Sequence, residues 1–177
     1  MNLVRKTLLR LGAAVVLASV GSAAFAQLAT TNFTASYRGG TSSLCLYSYN
    51  IKGVEPSASG KYPVYIHVGG TGEAYDSILA MAAIQRMAAK GYVAATVAYA
   101  NSTFGSCSSI GTKTKCIFNP SNSNSAVSKL CSRAKADCSK GIVTGGLSQG
   151  SIVSVLSRDY DSRVRASMGQ GTGTRYS

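Results

Sequence analysis

Apolar and polar positions along this chain follow two periodicities in turn, and together they predict alternating strands and helices. Residues 62–68 and 92–99 are runs rich in β-branched and aromatic residues, typical of buried strands. Between them, residues 78–90 have helical spacing, with Ser77 as N-cap and Gly91 as the stop. The apolar positions expected on this helix include Ile78, Leu79, Ala82 and Met87. The unit predicts parallel strands joined by a right-handed crossover.

The second half of the chain repeats this alternation. Helices are predicted over 125–136 and 151–156, and strands over 141–144 and 163–168. In the first half, residues 27–36 are predicted to be loose and residues 41–51 to form an early edge strand. Residues 55–60 are predicted to turn, and residues 101–124 to form a long polar loop. The pattern predicts an α/β fold: a mostly parallel sheet with helices on both faces.

The first 26 residues have the features of a secretory signal peptide. Three basic residues precede an apolar run, residues 11–20, that is too short to span a bilayer. Ala24, Phe25 and Ala26 then form an A-x-A cleavage site. We expect cleavage after Ala26, a secreted or periplasmic protein without a stable membrane anchor, and one domain over residues 27–177.

The net charge of the chain does not change the expectation of an exported protein. The chain has 18 basic and 6 acidic residues, a net charge of +12, and three of the basic residues lie in the leader, so residues 27–177 carry +9. The basic residues are scattered singly between Arg38 and Arg175, with no basic run and no interleaved aromatic residues. This pattern is typical of a solvated surface and predicts no nucleic-acid partner.

Five cysteines in an exported chain predict disulfides. The local pairs Cys107 with Cys116 and Cys131 with Cys138 are favoured, although connectivity does not follow from sequence, and Cys45 is left over. With one histidine and no C-x-x-C, no metal site is expected. Flavin and nucleotide motifs are also absent, so no cofactor is expected.

Candidate chemistry lies at residues 146–150, which read G-x-S-x-G between a predicted strand and a predicted helix. A serine on such a sharp turn has a strained backbone and an exposed hydroxyl, which makes Ser148 the candidate nucleophile. Gly146 and Gly150 keep the crowded turn free of side chains. The backbone N–H of Gln149, at the helix start, is placed to face an oxyanion. The alternative is an ordinary glycine-rich turn between strand and helix.

Three features in this order resemble the α/β-hydrolase fold, and exported bacterial esterase- and lipase-like enzymes in particular. They are residues 66–72 (IHVGGTG), residues 90–93 leading into the second strand, and the G-x-S-x-G turn. The resemblance runs from about residue 62 to residue 168. It implies that Ser148 is the nucleophile, and that backbone N–H groups of Gln149 and of Gly70 or Thr71 form the oxyanion hole. It makes His67, which often starts that loop, a structural residue.

The chain departs from this family in its missing acid and base. The family places an acid and then a histidine after the serine. Here His67 is the sole histidine, and Asp159 and Asp161 have the pattern of turn residues at a helix end. We expect an incomplete domain, cut after about the sixth strand, with an open sheet edge and the partner of Cys45 further on. A fragment of a longer protein, a frameshifted gene and an incomplete sequence all fit.

The sequence therefore predicts a serine hydrolase for esters or similar acyl compounds, small or polymeric, that is inactive as this short chain. Peptide, thioester and lactone substrates stay open, because the loops that define a pocket are lacking. The alternative is a non-catalytic binding protein on the same fold, in which Ser148 is vestigial. Oligomeric state does not follow from the sequence.

Overall fold

The computed structural model describes residues 27–171, so the predicted leader lies outside the described residues. The described residues form one six-stranded sheet with four α-helices. The strands are β1 (Thr30–Tyr37), β2 (Tyr49–Pro56), β3 (Val64–Val68), β4 (Val93–Val97), β5 (Ile142–Leu147) and β6 (Val164–Gln170). The helices are α1 (Ile78–Ala89), α2 (Cys107–Phe118), α3 (Ala126–Cys131) and α4 (Gln149–Tyr160).

The sheet is mostly parallel, which confirms the predicted fold class. Its strand order is β1-β2-β4-β3-β5-β6. The strands β4, β3, β5 and β6 run parallel, whereas β1 and β2 form an antiparallel extension beside β4. All residues of β3 and β4 are buried, as expected for parallel strands with a helix on each face. The carboxyl ends of β3 and β5 meet at one edge of the sheet, and their loops form the candidate site.

Helices cover both faces of the sheet, and side-chain alternation along β3 supplies a core to each. Ile66 faces a core shared with apolar residues of α2, α3 and α4. Tyr65 faces the other side, where Ile84 and Ala88 of α1 pack. Full burial of one such aliphatic side chain contributes about 1.5–3 kcal/mol.

The N-terminal hairpin differs from its prediction. Residues 30–37, predicted to be loose, form β1 and pair with β2 along the whole strand. The inward positions Phe33, Ala35 and Tyr37 alternate as a strand requires. Of the edge strand predicted over residues 41–51, residues 41–48 instead form a turn with exposed Leu46 and Tyr47. Strand β2 begins only at Tyr49 and continues into the predicted turn.

The predicted polar loop at residues 101–124 contains α2, and this helix changes the disulfides. Cys107 and Cys116 lie at opposite ends of α2, about 13.5 Å apart along its axis, whereas a disulfide needs Cα atoms within about 7 Å. Cys116 instead bonds Cys45, with a Cα–Cα distance of 5.5 Å, and Cys107 is free and exposed. Cys45 is therefore not left over. The predicted bond between Cys131 and Cys138 is confirmed.

Helix boundaries and faces also differ in detail. Ser77 caps α1 by accepting from the Ala80 N–H, and Gly91 follows the helix with φ 92°, as predicted. The buried face of α1, however, is Ala80, Ile84 and Ala88, while Ile78 and Leu79 are exposed. The third helix ends at Cys131 instead of residue 136. The fourth begins at Gln149, directly after the serine.

Candidate active site

Ser148 occupies the turn between β5 and α4 in a strained backbone conformation. Its φ is 51° and its ψ is −121°, and among the described residues it is the one non-glycine with positive φ. Such a conformation costs about 1–3 kcal/mol and persists only where the surroundings enforce it. The Ser148 N–H donates to the Gln170 carbonyl at 2.8 Å, and the Ser151 N–H donates to the Ser148 carbonyl at 2.9 Å. The first bond ties the turn to the end of β6, and the second ties it to the first turn of α4.

The two glycines of the motif meet backbone atoms that leave no room for a side chain. A Cβ on Gly146 would fall inside 3.0 Å of the carbonyl group of Gly150. A Cβ on Gly150 would fall equally close to the carbonyl oxygens of Val68 and Gly69. The G-x-S-x-G spacing is therefore a steric requirement of this turn, and an ordinary glycine-rich turn would not need it.

The loop after β3 lies directly beside the serine. A Cβ on Gly70 would be 3.3 Å from the Ser148 Cβ and 3.2 Å from the Leu147 carbonyl oxygen. Gly70 therefore allows the loop backbone to approach Ser148 closely. The carboxyl ends of β3 and β5 thus bring together residues that are 78 positions apart in the sequence.

The backbone N–H groups of this loop have different partners. The Gly70 N–H donates to Glu73 Oε2 at 2.7 Å, and the Gly72 N–H donates to the Asn101 carbonyl at 2.8 Å. Within residues 27–171, the Thr71 N–H has no hydrogen-bond acceptor. Of the two predicted donors, Thr71 has the free N–H in this arrangement, and Gly70 is committed to Glu73.

Two residues after β4 brace the loop, and sequence reasoning missed both. Asn101 donates through Nδ2 to the Gly70 carbonyl at 2.7 Å and to the Glu73 carbonyl at 2.8 Å. The Tyr99 hydroxyl donates to the Gly69 carbonyl at 2.8 Å, and burial raises the pKa of Tyr99 well above its ordinary value. Their position at the carboxyl end of a parallel strand was the available signal.

Gln149 is fully buried, and its side chain ties three segments together. Its Oε1 accepts from the Gly105 N–H and from Lys113 Nζ, each at 3.0 Å. Its Nε2 donates to Thr71 Oγ1 at 3.2 Å. Burial lowers the pKa of Lys113. The Gln149 backbone N–H is the first of α4, where N–H groups have no acceptor within the helix.

His67 belongs to β3, and it is not among the residues that line the cavity of Ser148. Its Nδ1 is 3.4 Å from the Tyr65 hydroxyl, and its buried Nε2 has no partner among the described residues. Burial lowers the pKa of His67, and the charge of Glu73 opposes this effect. His67 lines a neighbouring cavity of about 290 Å³ with Arg86 of α1, and Glu73, Leu79 and Leu147 line both this cavity and that of Ser148.

Ser148 lines an open cavity of about 510 Å³, within the usual size range for ligand pockets. Its walls combine the loop after β3, the start of α1 and the serine turn. The lining residues are Gly70, Thr71, Gly72, Glu73, Ser77, Ile78, Leu79, Leu147 and Ser148. Exposed Ile78 and Leu79 thus form an apolar wall. Among the lining residues, Glu73 is the one with an ionisable side chain.

The two aspartates that follow the serine lie at the far end of α4. Asp161 follows the last residue of this 12-residue helix, about 20 Å along its axis from Ser148. It is buried and paired with Arg163, with Oδ2 2.7 Å from Nη2. Asp161 therefore holds the connection from α4 to β6. It is a turn residue at a helix end, as expected, but it is buried, whereas a solvated position was expected.

Within residues 27–171, no three His, Cys, Asp or Glu side chains converge on a point where they would hold a metal ion. In the same range, no helix has the length and apolarity needed to cross a membrane.

No protein-family profile matches this sequence, and no curated protein sequence matches it either. Solved structures do match its fold. Brefeldin A esterase, described as a bacterial homologue of human hormone-sensitive lipase, aligns with a TM-score of 0.54 and 14% identity, over 76% of this chain and 36% of its own. Esterase Est22 aligns with a TM-score of 0.62 and 13% identity, over 84% and 45%. The α/β hydrolase GrgF from Penicillium sp. sh18 aligns with a TM-score of 0.54 and 15% identity, over 80% and 45%.

The chain therefore has the α/β-hydrolase fold. It spans less than half of the length of each of these three structures. At identities of 13–15%, the likeness extends to the fold alone, and function has to be argued from the site.

Proposed function

We propose that this chain carries the nucleophile and oxyanion parts of a serine hydrolase that acts on esters or related acyl compounds. The observation that supports this most directly is the strained backbone of Ser148, at φ 51° in a turn that glycines keep open. Strain of this kind concentrates at functional sites because it places a side chain where a relaxed turn would not. The cavity beside Ser148 supplies room for an acyl group.

In the proposed reaction, Ser148 Oγ attacks the carbonyl carbon of the substrate and the carbonyl oxygen becomes an oxyanion. The backbone N–H groups of Gln149 and Thr71 donate to that oxygen, because neither is committed to an acceptor in the described residues. The tetrahedral intermediate collapses, the alcohol leaves with a proton, and the acyl group stays on Ser148. Water then releases the acid.

The hydroxyl proton of Ser148 needs a base. His67 lines a different cavity, and Glu73 already accepts hydrogen bonds from the Gly70 N–H and the Ser77 hydroxyl. We therefore propose that a histidine and an acid from outside this sequence complete the triad. Without them a serine hydroxyl is a poor nucleophile, and turnover falls by several orders of magnitude. The two disulfides support an oxidising compartment, as expected for a secreted or periplasmic protein.

Covalent labelling tests this function. The secreted protein, isolated from its own host, is treated with a fluorophosphonate, and the modified residue is located by peptide mass spectrometry. We expect one adduct on Ser148, lost in Ser148→Ala and retained in the control Ser132→Ala, which changes an exposed hydroxyl on the cap of α3. Absence of an adduct on Ser148 would reject the hydrolase proposal.

A second candidate function is ligand binding without turnover, and one observation supports it. Among residues 27–171, no histidine lines the cavity of Ser148. Measurements with Ser148→Ala separate the two functions. A ligand that binds equally well to both forms and is released unchanged supports a binding protein. An effect of Ser148→Ala confined to the rate of turnover supports the hydrolase.

A further inference from the structure

Glu73 places a negative charge in the cavity of Ser148. A Cβ built on Gly70 would lie 3.3 Å from the Ser148 Cβ and 3.7 Å from Glu73 Oε2. The carboxylate and the serine therefore lie on either side of the same position. Both residues line the 510 Å³ cavity. An acyl group held at Ser148 therefore lies within reach of this carboxylate.

The partners of Glu73 leave its charge unpaired. Its Oε2 accepts from the Gly70 N–H at 2.7 Å, and its Oε1 accepts from the Ser77 hydroxyl at 2.6 Å. Both donors are neutral. The three ion pairs of the described residues use Asp76 with Lys52, Glu55 with Arg133, and Asp161 with Arg163. In a chain with 18 basic residues, the carboxylate beside Ser148 forms no ion pair among the described residues, and the basic residue that shares a cavity lining with it is Arg86, in the neighbouring 290 Å³ cavity.

We propose that Glu73 is a specificity-determining residue that selects acyl compounds carrying a cationic group close to the reacting carbonyl. The inference rests on the proposed function, because it concerns the substrate class of the same site. An ammonium group fits the one ionisable position of the cavity, and the apolar wall of Ile78 and Leu79 accommodates its methyl or methylene groups.

Glu73 also links this selectivity to the oxyanion position. A bare carboxylate beside a developing oxyanion is unfavourable, because two like charges then share a small space. A substrate cation that pairs with Glu73 cancels this repulsion. If it also draws Oε2 away from Gly70, the Gly70 N–H joins those of Thr71 and Gln149 as a donor. A cationic substrate therefore improves both binding and the stabilisation of charge in the transition state.

The net positive charge of the chain does not decide this preference. Exposed charges more than about 8 Å apart are largely screened at physiological ionic strength, whereas a partly buried carboxylate in contact with its ligand is screened much less. Glu73 is partly buried in its loop. The charge of Glu73 therefore has a larger effect on ligand binding in this cavity than the distant basic residues have.

Equilibrium binding to Ser148→Ala tests the inference without depending on turnover. The variant is titrated by calorimetry with two isosteric butyrate esters, the 2-(trimethylammonio)ethyl ester and the neutral 3,3-dimethylbutyl ester. We expect the cationic ester to bind about tenfold more tightly, the size of effect typical of one charge-assisted contact. Adding Glu73→Gln, which keeps an acceptor for Gly70, should abolish the preference.

The matched control is Asp76→Asn in the same background. It makes the same carboxylate-to-amide change on the same connection, at a residue paired with Lys52 that does not line the cavity. We expect the preference to be retained there. If Glu73→Gln fails to fold, an anionic ester supplies the test in the Ser148→Ala background: 2-carboxyethyl butyrate should bind more weakly than the neutral ester, because its carboxylate meets the like charge of Glu73, and equal binding of the two would overturn the inference.

Equal affinities for the two esters, no binding of either, or a preference that survives Glu73→Gln would each overturn the inference. The proposed hydrolase function fails separately, by the absence of a fluorophosphonate adduct on Ser148 in the protein secreted by its own host. A cationic preference in a protein that forms no such adduct would therefore support Glu73 as a cation-selecting residue and reject the hydrolase alone.

Discussion

Gly146 and Gly150 lie so close across the Ser148 turn that a Cβ on Gly146 would overlap the Gly150 carbonyl group. Because the obstacle is backbone, no side-chain rotation relieves it. Gly146→Ala should therefore lower the free energy of unfolding by about 3 kcal/mol, through overpacking and a shifted turn. Gly111→Ala, within α2, is the control, because a Cβ on Gly111 would meet only the Tyr160 hydroxyl, at 3.3 Å. Urea denaturation measures both, and equal effects would contradict the steric account.

The strain at Ser148 predicts that function and stability conflict at this residue. Glycine adopts φ 51° without the strain that serine and alanine bear. Ser148→Gly should therefore be more stable than Ser148→Ala by about 1 kcal/mol, after allowing for the greater freedom of glycine in the unfolded chain. Both variants should lose the fluorophosphonate adduct. Denaturation midpoints measure the difference, and an alanine variant as stable as the glycine variant would show that the turn is unstrained.

The two disulfides should contribute unequally to stability because they close loops of different length. Cys45 and Cys116 are 71 positions apart, whereas Cys131 and Cys138 are 7 apart. Loop-closure entropy predicts losses of about 4.4 and about 2.5 kcal/mol on replacing each pair with serine. Cys107→Ser should be nearly neutral, because this thiol is free and exposed. A large loss in Cys107→Ser would indicate the connectivity that sequence spacing favoured.

His67 should make stability depend on pH below neutrality. Burial lowers its pKa in the folded protein, so the unfolded chain takes up a proton first as the pH falls. Stability from this source is complete above the unfolded pKa of about 6.5 and is lost as the pH falls below it, by at most about 1.4 kcal/mol per pH unit. His67→Asn should remove this part of the slope. Denaturation curves at several pH values compare the two proteins, and parallel pH profiles would refute the prediction.

Asn101 should control the order of the loop beside Ser148. It donates to the carbonyls of Gly70 and Glu73, and its own carbonyl accepts from the Gly72 N–H. Asn101→Ala removes two of these three bonds and should cost about 2 kcal/mol. Amide hydrogen exchange at Gly72 should accelerate, whereas the exposed control Asn124→Ala should leave it unchanged. Unaltered exchange in Asn101→Ala would mean that the loop holds its shape without this clamp.

Elements with strong local patterns were predictable from the sequence. The β3, α1 and β4 unit was placed within two residues at every boundary, because a buried parallel strand and a capped helix each have a local signal. The strand β1 was missed because its threonine-rich sequence is polar, and only pairing with β2 gives it a buried side. The helix α2 was missed for a similar reason, since seven of its 12 residues are Ser, Thr, Lys or Gly and its apolar face is narrow.

The candidate site likewise has a part that the sequence predicted and a part that it did not predict. Ser148, with its flanking glycines, was predictable because the geometry of a strand-to-helix turn depends on a few consecutive residues. The hydrogen-bond partners of the loop after β3 were not predictable from the sequence. Glu73 takes the Gly70 N–H and Asn101 clamps the loop carbonyls, and neither contact follows from residue type or spacing. Such contacts depend on where the ends of β3 and β4 lie relative to each other.

By itself, the sequence determined the alternation of strands and helices, the α/β class and the sharp turn at Ser148, because each follows from periodicity or from steric limits within a short segment. Tertiary structure alone decided that Cys45 pairs with Cys116, that Thr71 keeps a free N–H, and that Glu73 faces the serine. These outcomes depend on packing between segments that are distant in the chain. The pattern of residues along the chain does not encode which groups of two distant segments will come into contact.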